Sequence, residues 1–200
     1  MPKLGMEPVR RQQLIDATIA SIHQDGFQDA TVARISRRAG LSVGLVNHYF
    51  DGKDDLLAST MQMLVDLTLA DIEGGIDAAD PPERQLVDFW QGHFAPRQRS
   101  PEAISAWLSF YAQVPEREAF ARIQRVYDQA LLDLLRPILG ELVPSDRVEG
   151  IAQTLIALMY GLWLRHANDP DNVDLELIQS VARSYVTDIL DVAALKPRNS

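Results

Sequence analysis

Residues 31–56 read TVARISRRAGLSVGLVNHYFDGKDDL, and this stretch decides the fold. Its apolar side chains recur with helical spacing on both sides of Ala39-Gly40-Leu41-Ser42, which predicts two short helices joined by a tight turn. Thr31 and Ser42 are residue types that cap helix N-termini, and Gly40 suits the backbone of a tight turn. The pattern predicts a helix-turn-helix, although globular proteins also use such a corner without binding DNA.

The second of these helices has the size and the side chains of a helix that reads DNA. From Ser42 to Phe50 it would span about 13 Å, close to the major-groove width of about 12 Å. Hydrogen-bonding, small or apolar residues that could meet base edges are Ser42, Val43, Gly44, Asn47, His48 and Tyr49. Basic residues that could reach backbone phosphates are Arg34, Arg37, Arg38 and Lys53.

Outward from this stretch, almost every segment has helical periodicity, and the predicted fold class is all-α. A first helix should run from Pro8 to Gly26, and a long one from Lys53 to Ile72, where Gly74-Gly75 would stop it. Further helices are predicted over 83–94, 101–113, 116–140, 145–168 and 173–193. Pro137 lies inside an apolar pattern, so a kink or an early stop is expected there.

Composition excludes several classes of protein. With 46% hydrophobic residues the 200-residue chain can bury a core, and the absence of cysteine excludes disulfides, thiolate metal sites and Cys nucleophiles. No apolar run approaches the 18 or so residues of a membrane span, so we expect a cytoplasmic protein. The net charge of −9 divides into +2 over residues 1–50 and −11 over 51–200, a basic head and an acidic body.

Motifs of enzymes and metal sites are absent from the sequence. It contains no GxGxxG, P-loop, HExxH or GxSxG pattern, and its four histidines lack metal-ligand spacing. The acidic run Asp169-Pro170-Asp171-Asn172-Val173-Asp174 lacks the glycine and the distal glutamate of a calcium loop, so we interpret it as a turn. We therefore predict no enzyme, no cofactor and no metal.

The stretch from Thr31 to Leu56 resembles the DNA-binding domain of the TetR family. The shared features are a Thr before the first short helix, a small-residue turn, an aromatic run and Lys53 three residues after Phe50. The departure is Asn47-His48-Tyr49, where that family usually has two aromatic residues before His, and an Asn at 47 could pair with adenine. The resemblance implies a DNA-binding domain over 1–52 and a ligand-binding and dimerisation domain over 53–200. The residues expected at the DNA are Lys3, Arg10, Arg11, Thr31, Arg34, Ser42, Val43, Gly44, Asn47, His48, Tyr49 and Lys53.

Within that family the chain is most similar to the BetI-type regulators. The similarity rests on His48-Tyr49-Phe50, on Pro2 to Met6, and on later runs at 106–108 and 161–165. It implies a repressor of the genes that convert choline to glycine betaine, with double-stranded operator DNA as partner and choline as inducer. Betaine aldehyde or another small molecule stays open as effector. An all-α ligand-binding or enzymatic protein without a DNA role is the rival class.

Aromatic residues of the acidic body share helix faces and could enclose a small cationic effector. Converging aromatic faces bind quaternary ammonium by cation–π attraction, although aromatics at helical spacing more often pack a core. The expected ligand-binding residues are Trp90, Phe94, Trp107, Phe110, Tyr111 and Trp163.

The last two predicted helices are apolar on almost every face. Because such helices must be covered all round, they predict a homodimer through a four-helix bundle, with a fully internal helix pair as the alternative. The expected interface residues are Ile151, Leu155, Leu158, Leu162, Ile178, Val181, Tyr185 and Ile189.

Overall fold

The computed structural model describes residues 5–172 together with 176–178, 180, 181, 184, 185, 187 and 188. These residues form helices and connections without a strand, and the all-α prediction is confirmed. The α-helices are α1 (Met6–Asp25), α2 (Val32–Arg38), α3 (Val43–Tyr49), α4 (Gly52–Gly75), α5 (Pro82–His93), α6 (Pro101–Gln113), α7 (Glu118–Leu142) and α8 (Ser145–Asn168). A short 3₁₀ helix, Pro96–Arg99, lies between α5 and α6.

The chain packs as two compact units. Of the described residues, those within 1–67 and 99–126 form the first unit, and those within 68–98 and 127–200 form the second. Helices α4 and α7 each contribute residues to both. These units are defined by packing alone. The boundary between a DNA-binding and an effector-binding domain, expected after residue 52, stays a prediction.

Helices α1, α2 and α3 form the expected helix-turn-helix. The Thr31 hydroxyl accepts a bond from the Arg34 backbone N–H, and the Ser42 hydroxyl accepts one from that of Leu45. In the turn, Gly40 adopts a φ of +67°, and the N–H of Leu41 donates to the carbonyl of Ser36 at 2.9 Å. This pattern closes the end of α2 and favours glycine at residue 40. The apolar face of the head is buried in a core that includes Leu14, Ile15, Ile35, Val46 and Phe50.

Helix α6 packs against α1 within the first unit. His23 Nδ1 lies 2.8 Å from the Ser105 hydroxyl, and the rings of Phe27 and Phe110 meet edge to face with centroids 6.1 Å apart. The head is therefore joined to a helix that the sequence assigned to the body.

Within the second unit, α5 crosses the end of α4 at Gly92. A Cβ atom at Gly92 would lie 2.4 Å from the Cα of Ile72 and 2.7 Å from the carbonyl oxygen of Asp71. The two backbones touch, so only glycine fits at residue 92. Next to this crossing, Gln98 Nε2 donates to the Asp71 carboxylate at 3.2 Å, and Arg97 forms an ion pair with the same carboxylate.

Two expected helix ends differ from the structure. Helix α4 was expected to end at Ile72, but it includes Gly74 and ends at Gly75. Both glycines are exposed. Helix α7 continues through Pro137 to Leu142, so of the kink or early stop expected there the early stop does not occur, and the kink stays a prediction. Pro137 is exposed, and the buried Leu135, Ile138 and Leu139 hold the helix on either side of it.

Candidate nucleic-acid interface and effector site

Helix α3 buries one side chain in the head and exposes a polar and small-residue face. Val46 is fully buried, whereas Val43 is 45% exposed and Gly44, Asn47 and His48 are exposed. Four of the six sequence-predicted reading residues are thus together on the outer side of the helix, whereas Ser42 caps its start and Tyr49 is half-buried at its end. This face is free to meet the edges of base pairs in a major groove.

Gly44 has no structural reason to be glycine. Its φ is not left-handed, and an added Cβ would make only an ordinary contact, 3.9 Å from the Ser42 hydroxyl oxygen. A glycine in a helix weakens it, so the packing of the head does not explain this residue.

Arg11 fixes the end of α3. Its Nη1 donates to the carbonyl of Tyr49, and its guanidinium lies 4.2 Å from the centroid of the Phe50 ring. The His48 and Tyr49 rings lie 4.9 Å apart in a T-shaped pair. Arg11 therefore orients the reading helix, and its expected contact with phosphate stays a prediction.

Lys53 is also held by the protein. Its Nζ donates to the Gln28 carbonyl at 3.2 Å and lies 5.9 Å from the centroid of the Phe27 ring. Burial, followed by the neighbouring positive charge of Arg117, lowers the pKa of Lys53. Through these bonds Lys53 connects the start of α4 to the α1–α2 connection.

The arginines of α2 differ in their partners. Arg34 donates to the Asp29 carbonyl at 3.3 Å and pairs with Asp25 at 3.7 Å, and Arg38 also pairs with Asp25, at 3.2 Å. Arg37 is exposed, and its guanidinium has no hydrogen bond or ion pair with a described residue. The arginine most available to a phosphate is therefore Arg37, which the sequence did not separate from its neighbours.

The other residues expected at the DNA are placed as follows. Arg10 is half-buried and donates to Gln13, and the hydroxyls of Thr31 and Ser42 accept their cap bonds while their own protons stay available to an acceptor. Lys3 lies outside the described residues.

The residues expected to bind an effector divide between the two units. In the first unit, Trp107 and Tyr111 stack with centroids 5.3 Å apart, while Phe110 is fully buried between Phe27 and Phe120. Phe110 is thus a packing residue of α6, and Trp107 and Tyr111 form an aromatic pair beside it.

The second unit contains a larger cluster, which we call the second-unit aromatic cluster: Trp90, His93, Phe94, Tyr127 and Tyr160. The Trp90 and Phe94 rings are parallel at 6.5 Å, and the His93 ring meets Phe94 edge-on at 5.3 Å and Tyr160 at 6.3 Å. The Tyr160 hydroxyl donates to the Asp128 carboxylate at 2.6 Å. Trp163 is buried in the same unit.

His93, Tyr127, Tyr160 and Asp128 were not among the expected site residues. His93 follows Trp90 by three residues and so shares its helix face, a signal that the sequence carried. The contacts of Tyr127 and Asp128 with residues more than thirty positions away had no counterpart in the local pattern.

His93 is neutral at physiological pH. Its Nδ1 lies 3.2 Å from the Tyr127 hydroxyl, and burial lowers its pKa from 6.5 to about 3. The cluster thus combines aromatic rings with an uncharged imidazole and the nearby Asp128 carboxylate. These groups suit a cation better than an anion.

The expected interface residues differ in exposure within one chain. Ile151, Leu155, Leu162 and Ile178 are buried, Leu158 and Tyr185 are half-buried, and Val181 is 37% exposed. Ile189 lies outside the described residues. A partner would gain more buried area from the exposed apolar side chains of Leu164, Leu177 and Val181.

Two searches of the described residues bear on other functions. No described helix is long and apolar enough to cross a membrane. The described part of the chain contains no group of three or more His, Cys, Asp or Glu side chains that could hold a metal ion. Residues 169–172 form the expected turn, in which Asn172 Nδ2 donates to the Asp169 carboxylate at 2.9 Å.

Comparisons with known proteins agree with this geometry. Residues 14–60 match the profile of the bacterial regulatory proteins of the tetR family, and residues 82–191 match that of the BetI-type transcriptional repressor C-terminal domain. The HTH-type transcriptional regulator BetI of Stenotrophomonas maltophilia is 40% identical over 98% of this chain and 100% of its own length. The regulator BetI 1 of Chromohalobacter salexigens is 38% identical over 95% of each chain.

Solved structures share the fold. A transcriptional regulator from Rhodococcus sp. Rha1 superimposes with a TM-score of 0.81 at 23% identity, over 94% of this chain and 99% of that one. A regulator from Saccharomonospora viridis, solved in complex with choline, gives 0.74 at 14% identity over 90% and 96%. At these identities the likeness concerns the fold alone. The two family profiles and the BetI relatives show that the chain is a DNA-binding transcriptional regulator rather than an enzyme, and that it belongs to the TetR family with a BetI-type repressor C-terminal domain.

Proposed function

We propose that the protein is a cytoplasmic homodimeric repressor whose two α3 helices bind successive major grooves of a palindromic operator. The observation that carries the proposal is the outer face of α3, where Val43, Gly44, Asn47 and His48 are exposed on a helix that Val46 and Arg11 hold in place. Two-fold symmetry of the protein would match two-fold symmetry of the DNA site. Residues 1–52 are the proposed DNA-binding domain, and residues 53–200 the effector-binding and dimerisation domain.

The DNA-binding proposal is tested by selecting duplexes from a random pool with the full-length protein. A palindromic consensus with half-sites about one helical turn apart is expected. Asn47→Ala should relax preference at one base of each half-site, because the lost contact is to a base edge. A pool that stays random after selection would contradict the proposal and favour the rival without a DNA role.

We further propose that a small cationic effector, with choline as the first candidate, controls DNA binding and thereby the genes of glycine betaine synthesis. The second-unit aromatic cluster, in which Tyr160 bonds to the Asp128 carboxylate, supports a quaternary ammonium ligand, and within the first unit the Trp107–Tyr111 pair offers a separate aromatic surface of the same chemistry. The BetI relatives, and choline in the regulator from S. viridis, support the same choice. Betaine aldehyde or another small molecule is the alternative effector.

An effector can weaken operator binding only through different affinities for the DNA-bound and free forms of the protein. Typical couplings of about 1–3 kcal/mol correspond to a change of roughly 5- to 150-fold in operator affinity. Helix α6 is the natural carrier, because it bears Trp107 and Tyr111. It also contacts His23 of α1 through Ser105, and Phe27 in the α1–α2 connection through Phe110.

The effector proposal is tested with choline and with its neutral isostere 3,3-dimethyl-1-butanol. Thermal unfolding should shift upward with choline only, since ligand at about 100 times its dissociation constant stabilises by about 2.7 kcal/mol. Operator affinity, measured by fluorescence anisotropy, should fall in the same choline range. An unchanged operator affinity at saturating choline would leave the repressor but reject this effector.

A further inference from the structure

Two buried nitrogen atoms in the second-unit aromatic cluster have no hydrogen-bond partner among the residues that the structure describes: Trp90 Nε1 and His93 Nε2. Trp90 is 4% exposed and His93 is 5% exposed. Buried polar groups in native proteins are nearly always bonded to protein, to ordered water or to a ligand, because an unpaired one destabilises the fold. Two such atoms three residues apart on one helix therefore indicate a place where another polar group binds.

Both atoms belong to side chains that flank Phe94. The Trp90 ring is parallel to Phe94, and the His93 ring meets it edge-on, with centroid distances of 6.5 Å and 5.3 Å. The other ring nitrogen of His93 already has a partner in the Tyr127 hydroxyl at 3.2 Å. Only Nε2 of the imidazole is left to recognise a ligand.

The chemistry of these nitrogens selects a hydroxyl group. The indole Nε1 can only donate, whereas Nε2 of the neutral imidazole donates or accepts according to whether Tyr127 donates to Nδ1 or accepts from it. A hydroxyl oxygen can accept from Trp90 and can either accept from His93 or donate to it, so it satisfies both nitrogens in either tautomer. A carboxylate, which only accepts, satisfies both in one tautomer alone.

We propose that Trp90 Nε1 and His93 Nε2 bind the hydroxyl group of the effector, so that the site selects a quaternary ammonium alcohol over the same cation without the hydroxyl. The inference deepens the proposed function and rests on it. The aromatic rings attract the ammonium group, and the two nitrogens on α5 form hydrogen bonds with the hydroxyl oxygen. Selectivity for a hydroxyl-bearing cation over a cation of equal charge without one thus comes from α5.

The test is isothermal titration calorimetry of the full-length protein with choline and with ethyltrimethylammonium, which has hydrogen in place of the hydroxyl. Wild-type protein should bind choline about 10-fold more tightly, the effect of roughly two net hydrogen bonds. Trp90→Phe keeps an aromatic ring and removes the N–H. It should weaken choline binding by about 3- to 10-fold and leave ethyltrimethylammonium binding nearly unchanged.

A matched substitution separates the hydrogen bond from the loss of indole area. Trp163 lies in the same unit, is equally buried at 4% exposure, and already has an interaction partner. Trp163→Phe removes the same indole area, so Trp90→Phe should lower the ratio of the two affinities by more than Trp163→Phe does.

Without ligand, Trp90→Phe should lose less stability than Trp163→Phe, because both changes remove the same buried indole area but only Trp90→Phe also removes a donor that has no partner among the described residues. An equal or larger loss in Trp90→Phe, with an unchanged ratio of affinities, would show that a buried water satisfies the nitrogens and would overturn the inference. Equal binding of both cations to the wild type would overturn it while the cationic effector stands. Failure of both cations to bind would reject the choline proposal and the hydroxyl site together.

Discussion

At the scale of single residues, replacing Gly44 should affect stability and operator binding in opposite directions. The structure accommodates a methyl group at this residue, since the nearest atom to an added Cβ would be the Ser42 hydroxyl oxygen, at an ordinary contact distance of 3.9 Å. Gly44→Ala should therefore raise the free energy of unfolding by up to about 1 kcal/mol, because alanine loses less backbone entropy in a helix. The same change should weaken operator binding, since the added methyl group would keep α3 away from the bases.

Chemical denaturation and fluorescence anisotropy of one protein preparation measure both effects. Gly40→Ala is the informative comparison, because Gly40 has a left-handed backbone with a φ of +67° and its replacement should lower stability by about 1 kcal/mol. Unchanged operator affinity of the stable Gly44→Ala protein would show that α3 does not approach DNA at this residue.

His93 predicts a specific dependence of stability on pH. Its pKa is about 3 in the native protein, against 6.5 without burial. Between these values the unfolded chain binds a proton that the native chain excludes, so stability is fully present above pH 6.5 and decreases as the pH falls. From pH 6 to 4.5 the loss from this group is about 2 kcal/mol.

Urea unfolding of the wild type and His93→Gln at several pH values isolates this contribution, since the carboxylates titrate alike in both proteins. The wild type should lose about 2 kcal/mol more than the variant over that interval. Parallel pH profiles would mean that His93 is accessible to protons in the native state.

At the scale of elements, the crossing of α5 over α4 depends on Gly92. Its added Cβ would lie 2.4 Å from a backbone atom, so relaxation requires the helices to move apart. Gly92→Ala should lower the free energy of unfolding by about 1–3 kcal/mol, the usual range for overpacking. Gly150→Ala, at an exposed residue of α8 with no atom within 4 Å, should be neutral or slightly stabilising. Equal stabilities in urea unfolding would contradict the close backbone contact.

Arg117 joins three elements of the first unit. Its guanidinium pairs with Asp54 at 2.6 Å and lies 5.8 Å and 5.7 Å from the centroids of Phe27 and Phe120. It thus connects the start of α4, the end of the α1 region and the start of α7. If α6 and α7 transmit the effector signal to the head, these contacts should carry part of the coupling.

Arg117→Met should therefore reduce the ratio of operator affinities without and with choline, by about 0.5–2 kcal/mol of coupling. Choline affinity of the protein without DNA should stay at its wild-type value. The control is Arg125→Met, which breaks an exposed ion pair with Glu118 within α7 alone. Equal coupling in both variants would exclude Arg117 from the transmission.

The sequence predicts those features of the helices that neighbouring residues determine, and it does not predict contacts between residues that are far apart in the chain. The caps at Thr31 and Ser42, the turn at Gly40 and the bounds of α3 and α6 follow from neighbouring residues, and the structure has them where expected. The joining of α6 to α1 was not predictable, because His23 and Ser105 are far apart in sequence and leave no periodic signal. The same holds for Arg34 and Arg37, which differ only through Asp25 and Asp29.

At the scale of the whole molecule, charge is divided between a basic head and an acidic body, and DNA binding must depend on a few cations near α3. Each phosphate contact contributes about 0.9 to the slope of log affinity against log salt concentration. In a two-fold dimer on a palindrome, one arginine per chain makes two contacts on each operator. Removing that arginine should therefore change the slope twice as much as it would for a single head.

Arg37 is suited to this measurement, because its guanidinium is exposed and forms no ion pair or hydrogen bond with a described residue. Arg37→Ala should leave stability within about 0.5 kcal/mol, weaken all duplexes alike and lower the salt slope by about 1.8. Fluorescence anisotropy from about 50 to 200 mM salt measures the slope for wild type and variant.

Arg34→Ala should in addition lower stability, since Arg34 bonds to Asp29 and pairs with Asp25. A decrease of about 0.9 would mean that one head binds each operator and would contradict the dimer, and no decrease would remove Arg37 from the DNA interface.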